Sequence, residues 1–262
     1  MKGRHLLVGL LAAWMLMPLH AAGLVLNVTL DYDQERNHVA VKTSLNDFAE
    51  QLGKSINAPV KLVMTQNAER VGEHIRTQSY DILLAPSQLI GLAMRHGYQP
   101  VARTEQDGRI DLVGRPGSGI KTFEQARGKT LVLPHRESLV SYLLRGEMNA
   151  MGLSPSTYFQ RVTYVNGYEA ALYAMEIGQA DVVAVKEHGV ESWLKANPGS
   201  TRLKRFSEVP LGGVAVSGKL PAALRDRVRV ALTNLDKTME ARLAKVGFGA
   251  MDPADESDFE LV

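Results

Sequence analysis

The chain has 262 residues, 45% of them hydrophobic and 22% charged, so it can bury a sizeable core as one or two domains and is not intrinsically disordered. It carries 30 Lys and Arg against 28 Asp and Glu, and Lys2 and Arg4 account for the excess. The balance gives no support for nucleic-acid or membrane-surface binding, which wants a clustered basic surplus, and the lack of cysteine excludes disulfides and lipid attachment through an N-terminal Cys.

Residues 1–23 read as a secretory signal. Lys2 and Arg4 form a positive n-region, Leu6 to Met17 an apolar run closed by Pro18, and Ala21-Ala22-Gly23 a small-residue cleavage zone. The run is short for a bilayer span, and nothing after Gly23 approaches about 20 consecutive apolar residues. The expected product is an exported, freely diffusing protein, a monomer of the Gram-negative periplasm.

Periodicity then gives the elements in order. A strand over Leu24–Tyr32 precedes a helix over Val39–Leu52, a strand over Ala58–Met64, a helix over Ala68–Gln78 and a strand over Asp81–Pro86. A helix over Gln88–His96 ends at Gly97, and strands over Pro100–Arg103 and Arg109–Arg115 flank a turn at Gln106-Asp107-Gly108. The plan then repeats: a helix near Phe123–Ala126, a strand over Thr130–Leu133, a helix over Ser138–Met151, a strand over Val162–Val165, a helix over Glu169–Ile177 and a strand over Ala180–Val185. Val214 to Val216 and one helix over Pro221–Lys245 return to the first unit, and the acidic tail Asp252–Val262 is expected on the surface. Alternating strands and helices with short connections predict an α/β protein of two lobes, each a mostly parallel sheet flanked by helices, with a cleft between them. The first lobe takes residues 24–108 and 206–262, and the second takes 109–205.

Few motifs for chemistry survive inspection. Gly128-Lys129-Thr130 imitates the end of a phosphate loop, but Phe123 occupies the place of its first glycine and a strand follows. The glycines of Gly114-Arg115-Pro116-Gly117-Ser118-Gly119 are misspaced for a dinucleotide fingerprint. His38, His74, His96, His135 and His188 show no metal-ligand spacing, and no GxSxG elbow occurs, so no cofactor, metal or catalytic residue is assigned. What remains is the break in LVLPHRESLVSYLL, where the strand before Pro134 turns into a helix starting at Ser138. Ser138 reads first as a helix cap and second as a candidate anion contact, because a helix start presents unpaired N–H groups and a positive dipole end.

The ordered set Ser79-Tyr80-Asp81-Ile82-Leu83-Leu84-Ala85-Pro86-Ser87, Leu131 to Leu153, Tyr168-Glu169-Ala170-Ala171-Leu172, Gly178-Gln179-Ala180-Asp181-Val182-Val183-Ala184-Val185, Gly247-Phe248 and Asp252-Pro253-Ala254-Asp255 resembles the phosphonate/phosphate-type periplasmic solute-binding proteins. The resemblance implies a type II periplasmic-binding fold with two crossing strands, and a small anionic solute closed between the lobes for an ABC importer. A ligand-sensing subunit for a histidine kinase is the alternative, and an enzyme on the same scaffold a third reading. It implies ligand contacts from helix starts and loops facing the cleft, and the candidate contacts in this chain are Ser138, Ser87, Tyr168, His135, Arg136 and Lys186. Leu139 and Val140 stand where phosphonate binders of the family carry hydroxyls, and Tyr168 where a His is usual, so phosphate and other oxyanions stand beside phosphonate as candidates.

Overall fold

The computed structural model describes residues 23–31, 38–65 and 67–262; the segment expected to be a secretory signal lies outside them apart from Gly23. In chain order the regular elements are β1 (Leu24–Val28), α1 (His38–Ile56), β2 (Val60–Met64), α2 (Ala68–Arg76), β3 (Ile82–Pro86), α3 (Ser87–Met94), β4 (Tyr98–Thr104), β5 (Asp107–Gly108) and β6 (Ile110–Gly114). A 3-10 turn at Glu124–Ala126 leads to β7 (Thr130–Leu133), α4 (Leu139–Ala150), α5 (Pro155–Tyr158), β8 (Arg161–Tyr164), α6 (Tyr168–Glu176), β9 (Val182–Lys186), α7 (Glu187–Ala196) and β10 (Thr201–Arg205). The chain closes with β11 (Val209–Pro210), β12 (Gly212–Ser217), α8 (Ala222–Thr233), α9 (Lys237–Ala244), β13 (Met251–Pro253) and a 3-10 turn at Glu256–Phe259.

Two helix-flanked sheets result, ordered β13-β4-β12-β3-β1-β2 and β10-β6-β9-β7-β8. Each is parallel through its strand–helix–strand half, where β1 pairs with β2 and β3 and β7 pairs with β8 and β9. Each becomes antiparallel on the side that receives the crossing chain, at β12 with β3 and at β6 with β9. The sheets are therefore mixed, because strands arriving from the other lobe need no helical crossover.

The central strands read as unbroken apolar runs because both faces are covered. On β3, Ile82 and Leu84 face the core under α1, α8 and α9, while Leu83 and Ala85 face the core shared with α2 and α3. On β9, Val183 and Val185 pack under α6 and α7, while Val182 and Ala184 turn to the same shared core. That shared core runs through both lobes, taking in Ile90 of α3 and Val140, Leu143 and Leu144 of α4.

Several expectations need correction. The turn expected at Gln106-Asp107-Gly108 contains β5, which pairs antiparallel with β11 where the chain crosses back. A local reading cannot see a partner supplied so late in the sequence. The single C-terminal helix is two, because Asp236 caps α9 by accepting from Met239 N at 2.8 Å and so stops α8 at Asn234. Helix α7 and strand β10 have no predicted counterpart; β10 is a polar edge strand, TRLKR, whose Arg202 and Arg205 pair with the buried Asp111 of β6. The tail is not confined to the surface: Phe259 is 1% exposed and Val262 7%, both in the shared core.

Candidate functional site

The carboxyl ends of β1, β3, β7 and β9 meet where the two lobes touch, as Lys186 Nζ lies 2.5 Å from Asp31 Oδ2 and Gln88 Nε2 donates to Glu137 O at 3.1 Å. Asp31 follows β1 and Gln88 lies in the first turn of α3 on one lobe; Glu137 precedes α4 and Lys186 ends β9 on the other. Strand ends in open α/β sheets are where ligands sit, since the following helices start there. Three surface cavities of about 490 to 610 Å³ lie elsewhere, on outer faces, and none of the six predicted contacts lines them.

The loop before α4 is rigid for identifiable reasons. His135 O accepts from Ser138 N at 2.9 Å, and His135 Nδ1 accepts from Glu137 N at 3.2 Å. Ser138 caps α4, its Oγ accepting from Ser141 N and donating to Ser141 Oγ, both at 3.3 Å. Ser141 in turn donates toward Pro134 O at 3.2 Å and His135 O at 3.0 Å, so the two serines fold the turn back on itself. Leu139 and Val140, the two residues after the cap, are buried in the shared core.

Arg136 is exposed at the rim with its guanidinium 4.7 Å from the centre of the Tyr164 ring, a cation–π geometry. Its neighbour Glu137 accepts from Tyr142 OH at 2.7 Å. Burial first, and then the bond to Glu137, push the Tyr142 phenol up to about 12, so it remains a donor at physiological pH. Ser87 is fully buried at the first position of α3 and donates to Pro210 O on the crossing ribbon. Tyr168 opens α6 after Gly167 at φ +98°, and its ring packs against the core under α6 and α7. The structure therefore gathers Ser138, His135, Arg136 and Lys186 along one edge of the second lobe, sets Ser87 beside the crossing strands, and places Tyr168 on the α6 side.

The sequence profile described as "ABC transporter, phosphonate, periplasmic substrate-binding protein" matches residues 34–259. The chain belongs to this family. Family members are periplasmic binding proteins of transporters rather than enzymes; they bind a small ligand and work with ABC permease components. The fold is that of PhnD1 from Prochlorococcus marinus, solved with methylphosphonate (16% identity, 90% of this chain and 94% of that one, TM-score 0.64). It is also that of a Xanthomonas citri protein bound to ATP (18% identity, 90% and 92%, TM-score 0.72). An ancestral arginine-binding protein bound to arginine aligns less tightly (16% identity, 87% and 100%, TM-score 0.50). A comparison with curated proteins returns no match. The profile gives the family, and the solved structures give the type II periplasmic-binding fold.

Sequence reasoning passed over the first lobe's wall. Asn27, Thr29 and Asp31 alternate with Leu26, Val28 and Leu30, a period-two pattern that marks one polar face on a strand end. Asn27 and Thr29 are buried and joined by a 3.0 Å bond from Asn27 Nδ2 to Thr29 Oγ1. Gln88, 2% exposed, has a buried Oε1 with no partner among the described residues. Its amide orientation is fixed, because Glu137 O is an acceptor only and must face the Nε2 side. Buried polar side chains at a strand end are the signal that could have found these residues.

Proposed function

We propose that this member of the family captures a small anionic solute between its lobes, at Ser138, His135, Arg136, Lys186, Ser87 and Tyr168, and presents it to an ABC permease. The observation that carries this reading is the contact of Gln88 with Glu137, which brings the start of α3 against the start of α4 with Lys186 ending the neighbouring strand. Two helix N-termini and a lysine favour negative charge, and the N–H groups of each first turn lack helical acceptors. Gln88 Oε1 adds an acceptor for a protonated oxygen or an amine on the ligand.

Leu139 and Val140 remove two hydroxyl donors, so phosphate, phosphite and other oxyanions compete on equal terms with phosphonates. Solved relatives of this fold hold methylphosphonate, ATP and arginine, which supports a fold permissive of ligand chemistry. The N-terminal 23 residues support export to the periplasm before binding.

A thermal-shift panel of phosphate, phosphite, methylphosphonate, sulfate and small organic acids tests the reading. At least one is expected to raise the melting temperature, since a ligand at a hundred times its dissociation constant stabilises by about 2.7 kcal/mol. No shift with any member would overturn it. With a binder in hand, Lys186→Gln is expected to weaken affinity roughly tenfold or more by removing a charge-assisted contact.

A further inference from the structure

We infer that Asp31 is a built-in competitor for the anion site: its carboxylate holds Lys186 across the cleft, keeps the lobes together without solute, and must be displaced when an anion binds. This rests on the proposed anion reading for its second half only. The pair spans the two lobes at 2.5 Å, and both side chains are 15% exposed. A lysine drawn that far from water when the lobes meet needs a counter-charge, because an uncompensated partly buried cation is costly. The neighbouring acid on the same lobe is occupied otherwise: Glu187 lies 3.1 Å from Arg109 Nε and 2.9 Å from Arg205 Nη2. Asp31 reaches Lys186 from the end of β1, the last residue of the polar series Asn27, Thr29, Asp31.

An oxyanion placed on Lys186 would stand next to the Asp31 carboxylate, and like charges at contact distance repel in a poorly hydrated site. The carboxylate must therefore yield its place. Asp31 makes the site selective in a simple sense, since a solute must offer Lys186 more than one carboxylate already does. It also makes closure of the ligand-free lobes depend on an ion pair, with a corresponding sensitivity to salt.

The test uses the protein stripped of carried solute by unfolding and refolding, with Asp31→Asn and Lys186→Gln as variants and circular dichroism melts as the folding check. X-ray scattering on the ligand-free samples is expected to show a larger radius of gyration for both variants than for wild type. Calorimetry with inorganic phosphate and methylphosphonate is expected to move in opposite directions, roughly tenfold tighter for Asp31→Asn and roughly tenfold weaker for Lys186→Gln. Unchanged radii in both variants would overturn the latch. Weaker anion binding by Asp31→Asn would overturn the competitor role and make Asp31 a ligand contact. If neither probe binds any form, phosphate and methylphosphonate fall as the solute and the competitor role with them for these anions, while the scattering comparison still decides the latch.

Discussion

Asp81 and Asp181 stand one residue ahead of β3 and β9 and tie each to its neighbouring strand. Asp81 Oδ2 accepts from Val25 N at 2.8 Å, and Asp181 Oδ2 accepts from Thr130 N at 3.1 Å and Thr130 Oγ1 at 2.8 Å. For Asp181, burial alone would raise the carboxyl's pKa. The two Thr130 donors and the Arg115 guanidinium outweigh it and hold the carboxyl below its ordinary 3.8. A carboxyl depressed in the folded state contributes stability above its unfolded value and loses it as pH falls through the folded value. Asp181→Asn is thus expected to cost about 1 kcal/mol at pH 7 in urea unfolding, with the gap from wild type narrowing once the pH drops below 3.8. Both aspartates were visible in the sequence within the segments Ser79 to Ser87 and Gly178 to Val185. Their bonding was not, because the partners lie on other strands.

At the scale of elements, glycines show where helices meet other backbone. A Cβ at Gly146 of α4 would collide with the carbonyl oxygen of Leu261, and one at Gly91 of α3 would lie 2.5 Å from Val262 O. A Cβ at Gly72 of α2 would meet only the ends of Arg76 and Leu92, at 3.5 Å. Alanine in a helix interior is favoured over glycine by about 0.5–1 kcal/mol, whereas overpacking against backbone costs about 1–3 kcal/mol. Gly72→Ala should therefore stabilise the protein slightly and Gly146→Ala destabilise it, two opposite signs that denaturant melts will distinguish. The helices themselves were legible from apolar spacing. The seat they form for the tail was not, since an acidic composition reads as solvated while Phe259 and Val262 among those charges go inward.

Across the whole molecule, the shared core and the tail couple the lobes. Phe259 belongs to the core cluster that contains residues of both sheets, and a Cβ on Gly213 would lie 2.8 Å from its ring. Trp193, buried in α7, reports on the second lobe; the sequence's other tryptophan, Trp14, lies in the N-terminal segment. Unfolding followed by Trp193 fluorescence and by circular dichroism is expected to give coincident transitions, as one cooperative unit requires. Phe259→Ala should lower stability by about 3–5 kcal/mol and separate the two curves, because it opens a cavity where the lobes share their core.

By itself the sequence determined the alternation of strands and helices, the two-lobed α/β plan, the family, and the helix start at Ser138, since all of these rest on local periodicity, capping chemistry or ordered motifs. Only the tertiary structure decided that β5 pairs with β11, that the tail wedges between α3 and α4, and that Asp31 faces Lys186. Those are pairings between residues far apart in the chain, where hydrogen-bonding partners and counter-charges are chosen by topology rather than by neighbours in sequence.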